Sequence, residues 1–221
     1  KHDPVDDKAK ETVDYLLENY AKTMISMMLN QRFSEMTQKE DCPFFGAYGY
    51  DGQYIYSKTK DAFNLAGSAK EGHELQALAA MYREAQRVRQ FGFTATEYDR
   101  TKAEYLSQLE SSYENRNKIK NDQFGDEYRD NYLGNEPIPG IETESMLAQQ
   151  MAQMINVQAI NQQLAQMIPE QAGQNFFISI MAVQILGGGQ PLGGGADINA
   201  FDDETEPLTT DTPNLNSDLP F

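Results

Sequence analysis

The stretch that most constrains the fold is FGFTATEYDRTKAEYLSQLESSYE, Phe91 to Glu114. Gly92 reads as a helix stop, because glycine enters the left-handed backbone region without a Cβ penalty. Thr94-Ala95-Thr96-Glu97 then forms a capping box. The Thr94 hydroxyl accepts the Glu97 amide hydrogen, and the Glu97 carboxylate accepts from the Thr94 amide. Tyr98, Tyr105, Leu109 and Ser112 recur at steps of three, four and seven, with Leu106 and Tyr113 widening the stripe. That spacing predicts one apolar face on a helix running from Ala95 to about Tyr113, with Glu, Lys and Arg opposite.

Ahead of this junction, Asp6 to about Gln38 reads as one long helix. Val13, Leu16, Leu17, Tyr20, Met24, Met27 and Met28 make its apolar stripe, and Asp3 or Asp6 can cap its start. A methionine cluster can serve as a plastic binding surface, but at helical spacing it reads as core. From Pro43 to Lys70 the period changes to two, giving an antiparallel strand pair with its first strand broken or bulged near Gly49 to Gly52. Asp51-Gly52 and Lys58 to Asp61 are turn material. Gly72 to Gln90 returns to helix, with Leu75, Leu78, Ala79, Tyr82 and Val88 inward.

After a break around Asn115 to Asn121, Phe124, Tyr128 and Tyr132 mark a helical stretch, stopped by Gly134 and the loop Glu136 to Gly140. Ile141 to Met154 and Val157 to Met167 form two shorter helices separated at Asn156. Asn175 to Met181 follows the turn Pro169 to Gly173 as a buried-strand candidate. The composition then shifts. LGGGQPLGGG is a flexible hinge, and Ala196 to Phe221 has no Lys or Arg, seven acidic residues and three prolines. The chain thus divides into an α+β domain over 1–185 and a glycine-rich hinge with an acidic, disordered tail over 186–221. The glycine run lacks the Gly-Lys-Ser/Thr that a phosphate loop needs.

Charge excludes some partners. A formal net charge of -16 repels nucleic acid, whose binding requires clustered Lys and Arg, and suits anionic membranes poorly. No apolar run approaches the ~18 residues of a membrane span. Lys1-His2-Asp3-Pro4 opens without an initiator Met, so the chain is expected to be a piece of something longer.

Chemistry is harder to find. Cys42 is the single cysteine, so no internal disulfide forms; its Glu-Asp-Cys-Pro-Phe setting is the opposite of what an activated thiolate needs. His73-Glu74-Leu75-Gln76-Ala77 has alanine where a zinc helix needs its second histidine, and in the inverted order both Gln76 and Ala77 are wrong. With His2 the other histidine, no zinc site can be assembled from histidines, and His73 reads as a solvated or capping residue. Glu142 with Glu144, or the Asp-Asp-Glu of the tail, could pair for acid–base work, but among 34 acidic residues adjacency arises by chance. No G-x-S-x-G is present. Tyr48, Tyr50, Tyr54 and Tyr56 could form an exposed peptide-binding surface, although tyrosines favour strands regardless. No residue is therefore assigned a catalytic, cofactor-binding or metal role.

Several linked segments carry a family resemblance. Leu29 to Gly52 (LNQRFSEMTQKEDCPFFGAYGYDG), Lys60 to Gly72, Glu84 to Ser111 and Glu136 to Glu144 resemble, in order and spacing over about residues 1 to 170, the non-catalytic domain of pitrilysin/insulinase-type zinc peptidases. In that family a long helix ends in an L-x-x-R-x-x-E-like run, here Leu29-Asn30-Gln31-Arg32-Phe33-Ser34-Glu35. The resemblance implies an α+β domain of the LuxS/mitochondrial-processing-peptidase type, in which several helices cover one face of an antiparallel sheet. It also implies repeated domains that enclose a chamber for unfolded peptides. One repeat alone carries the inverted His-x-x-Glu-His motif, so zinc is expected in a separate catalytic domain and none in this segment. The implied partners are the other domains of the same peptidase and peptide substrates, and the implied setting is a bacterial periplasm or cell envelope. The competing reading is a stand-alone peptide- or protein-interaction module with this fold and no catalysis. An active hydrolase would need a site the sequence does not offer.

Overall fold

Thr12 starts the long first helix, α1 (Val13–Thr37), by accepting the Tyr15 amide at 3.3 Å. The expected caps Asp3 and Asp6 lie upstream, separated from α1 by a 3-10 turn over Ala9–Glu11. The structure, a computed structural model, describes residues 1–54, 57, 59–118 and 121–168. The strand expected over 175–181, the glycine-rich hinge, the acidic tail and Tyr56 lie outside the described residues.

α1 buries Tyr20, Met24, Ile25, Met28, Leu29 and Phe33, which recur at three and four and so share one face. The methionines are core, as their spacing predicts. Val13 is not: it sits at the first helical position, 64% exposed, one turn before the stripe reaches its packing partners. Each fully buried side chain of this size contributes about 1.5–3 kcal/mol of transfer free energy, so this stripe anchors the fold.

β1 (Phe44–Gln53) and β2 (Asp61–Ala69) pair antiparallel. The expected irregularity near Gly49 to Gly52 is absent, and Asp51 and Gly52 are paired strand residues opposite Phe63 and Ala62. The register shifts instead between Phe44 and Gly46. That shift turns Phe44 into the core, where its ring meets Phe33 edge-on at 6.3 Å, and leaves Phe45 outside, 64% exposed. Gly49 lies against α1: a Cβ there would come within 2.8 Å of Leu29 Cδ2. Asn30 of α1 accepts the Gly49 amide at 2.7 Å. α1 packs on β1 and α2 on β2, so helices cover one face of the pair. On the other face Tyr48 and Tyr50 stack in the open.

α2 (Glu74–Phe91) follows, with Ala77, Met81, Ala85 and Val88 buried. Leu75, expected inward, is 68% exposed in the first turn. Gly92 ends α2 at φ 73°, and the capping box of Thr94 and Glu97 opens α3 (Ala95–Glu114), both as the sequence predicts. A 3-10 turn over Arg116–Lys118 fills the expected break before α4 (Asn121–Gly134). α5 (Ile141–Met154) and α6 (Val157–Met167) meet where Asn156 caps the second by accepting the Ala159 amide at 3.0 Å. α5 packs on α3, while α6 seals α1 and α2 with Ile160 and Leu164, both fully buried.

Candidate functional site

Polar chemistry gathers at three places, and two of them are satisfied internally. The first is Arg32, near the end of the α1 stripe. Its Nε donates to Glu97 Oε1 at 2.7 Å, its Nη2 to Glu97 Oε2 at 3.0 Å, and its Nη1 to Glu84 Oε1 at 2.9 Å. The same Glu97 carboxylate closes the capping box on the Thr94 amide at 2.8 Å. Partial burial works against ionised Glu97, but Arg32 and Thr94 outweigh it and hold the carboxyl at about 2. Every strong donor of the guanidinium faces a structural partner, so this cluster ties α1, α2 and α3 together.

The second is Asp51, whose side chain is 2% exposed on β1. It accepts from His2 Nε2 at 2.9 Å and pairs with Lys22 Nζ at 3.0 Å; Lys22 also meets Glu18 at 2.9 Å. His2 is fixed by its backbone, which bridges to Asp61 through bonds of 2.9 and 3.0 Å. Burial pulls the His2 pKa down, but the bond to Asp51, the contact with the Asp3 carbonyl and the Asp51 charge together outweigh it and the net direction is upward. Reading Asp51 as turn material hid this buried carboxylate.

The third place is open. A cleft of about 310 Å³ lies between α1, α3, α5 and the loop Glu136 to Gly140. Leu16, Leu109, Leu147 and Met151 give it apolar walls; Tyr20, Tyr105, Glu136 and Glu144 bring polar groups to it. The rings of Tyr20 and Tyr105 meet edge-on at 5.7 Å. Tyr20 Oη shares a bond of 3.3 Å with Tyr98 Oη, which donates to the Ile155 carbonyl at 2.8 Å. Glu136 is neutralised from behind: Lys10 Nζ lies 2.9 Å from Oε1 and Tyr15 Oη donates to Oε2 at 2.5 Å. Glu144 is exposed as a residue, yet partial burial of its carboxyl in the cleft, and then the charge of Glu127, raise it above the usual range. Burial and the Glu144 charge likewise raise the Tyr105 phenol.

The residues singled out from sequence that fall among the described residues do not converge. Glu142 turns to Arg116, 3.7 Å away, while Glu144 enters the cleft, since two residues along a helix point about 200° apart. His73 precedes α2 on the surface, its Nδ1 against the Glu71 carbonyl at 2.9 Å. Cys42 is buried and its thiol donates to the Phe44 carbonyl at 3.4 Å. Tyr54 lies under the Lys1 ammonium at 3.9 Å, apart from the Tyr48–Tyr50 stack. Among the described residues no three His, Cys, Asp or Glu side chains are grouped as metal ligands would be. Nor, among the described residues, is any helix long and apolar enough to cross a membrane.

The architecture is that of an insulinase-like α+β domain. It shares its fold with the periplasmic protease PqqL from Escherichia coli at a TM-score of 0.61 and 20% identity, covering 73% of this chain and 17% of that one. The first half of PqqL matches at 0.62 and 20%, covering 76% and 34%. A predicted insulinase family protease from Yersinia pestis matches at 0.56 and 12%, covering 69% and 32%. In sequence, the chain is 28% identical over 158 residues to a "Zinc protease PQQL-like" from Arabidopsis thaliana. That match takes in 72% of this chain and spans 13% of the relative's length. No family model matches. Sequence and fold together relate this chain to one segment of a pitrilysin/insulinase-type protease.

Proposed function

We infer that this segment is a non-catalytic wall of a zinc-dependent peptidase, helping to enclose peptide substrates while another domain of the same protein holds the metal. One observation carries the reading. The helix ahead of the strand pair, where the resemblance would put the inverted zinc motif, has no histidine. It points Met24, Ile25, Met28 and Leu29 into the core and commits Arg32 to Glu84 and Glu97. The segment's contribution is then shape and field: a formal charge of -16 attracts basic peptides over long range. PqqL is described as a periplasmic protease, and a periplasmic setting for this chain follows as part of the same proposal.

The stand-alone binding module has one observation in its favour, the open Tyr48–Tyr50 stack with ring centroids 5.9 Å apart. Against its β-edge version, the Gly49 amide, which a docking peptide would have to reach, is already taken by Asn30.

The test is elemental analysis of the purified protein after mild dialysis, together with peptide binding by the same sample. Zinc well below one per chain with saturable peptide binding is expected. Firmly held zinc near one per chain, lost on His73→Ala, would overturn the reading.

A further inference from the structure

We propose that the cleft between α1, α3 and α5 is a subsite for a basic side chain, lysine or arginine, of a bound peptide. The inference rests on the chamber reading above and names what one part of the wall selects. Its argument is charge balance within a shaped cavity. Among the described residues two carboxylates line the cleft, Glu136 and Glu144, and no Lys, Arg or His lines it. Glu136 is already answered by Lys10 and Tyr15, which approach from outside the cleft. The Glu144 carboxylate has neither a hydrogen bond nor an ion pair among the described residues, and its charged neighbour is Glu127, of the same sign.

The shape fits the same ligand. A lysine or arginine carries three or four methylenes before its charge and covers apolar surface with them while the head stays polar. Leu16, Leu109, Leu147 and Met151 supply that apolar wall, with Glu144 on the α5 flank. The Tyr105 phenol offers an acceptor oxygen and an aromatic face for a cation beside the carboxylate. A volume of about 310 Å³ holds one such side chain, not a folded partner. An acidic side chain would meet two carboxylates, and a neutral aliphatic one would displace water from Glu144 without replacing it.

The probes are a nine-residue glycine–serine peptide with one central lysine and its norleucine counterpart, titrated into the full protein and followed by NMR. The lysine peptide should bind at least about fivefold more tightly, with saturable shifts at Tyr105 and Leu147, and the preference should shrink as salt rises. Glu144→Gln should abolish the preference. Glu142→Gln, altering a carboxylate outside the cleft, should leave it intact. Tyr105→Phe gives a second variant, expected to weaken lysine binding about twofold. Equal binding of the two peptides, or a preference that survives Glu144→Gln, would overturn the subsite and leave the chamber reading standing. Binding of neither peptide would overturn both.

Discussion

Arg32 of α1 and Glu97 of α3 meet through two bonds, Nε to Oε1 at 2.7 Å and Nη2 to Oε2 at 3.0 Å, and that carboxylate also caps the helix it sits on. One side chain thus sets where α3 begins and where α1 lies against it. Replacing Arg32 by methionine keeps the aliphatic stem but strands Glu84 and Glu97. The expected loss is about 2–3 kcal/mol, short of a fully buried pair because water reaches this one. Urea unfolding measures it, and Arg32→Lys should recover only part, since an ammonium cannot make the paired contact.

The same pair fixes an acid limit. Glu97 titrates at about 2 in the folded chain against an ordinary 4.5. A carboxyl with a depressed folded pKa binds more protons when unfolded, so its contribution is present above about pH 4.5 and is lost as pH falls towards 2. The stability gap between wild type and Glu97→Gln should therefore be widest near neutrality and narrow across that window. A gap independent of pH would show that Glu97 acts through shape and not through charge.

The helix ends were legible because their signals are local: Thr94 with Glu97, Gly92, Asn156 and Gly134 each act within one turn of themselves. Positions decided by distant partners were not. Asp51-Gly52 has the composition of a turn, yet Lys22 and His2 hold Asp51 inside a strand. Val13 and Leu75 fit their helical stripes by period but sit in first turns, largely exposed. For the candidate cleft, Tyr20 and Tyr105 were readable as inward positions. Its carboxylates were not, because Glu144 is told from Glu142 only by the packing of α5 on α3.

Gly92 joins two constraints at one atom. Its φ of 73° with ψ of -176° belongs almost wholly to glycine, and a Cβ would come within 2.5 Å of Asn161 Nδ2. Asn161 cannot step aside freely, because it accepts from the Phe93 amide at 2.8 Å and donates to the Phe93 carbonyl at 3.0 Å. Gly92→Ala is expected to cost about 2–4 kcal/mol, combining backbone strain with loss of those bonds. Asn161→Ala alone should cost about 1–2 kcal/mol. In the double variant the clash disappears, so the two losses should fall short of additive in a denaturation cycle.

His2 offers a charge that can be read directly. Burial and the charge of Lys22 lower its pKa, but the Nε2 bond to Asp51, the Asp3 carbonyl and the Asp51 charge together raise it above the ordinary 6.5. A histidine with a raised folded pKa stabilises the fold fully below about pH 6.5, and that contribution is lost as pH climbs through the higher folded value. An NMR titration should place the His2 ring above 6.5. Asp51→Asn removes the acceptor charge that favours the imidazolium while Lys22 remains, so the His2 midpoint should fall below its wild-type value. A midpoint unmoved by that change would mean that the N-terminal bridge to Asp61, and not the buried carboxylate, holds His2 in place.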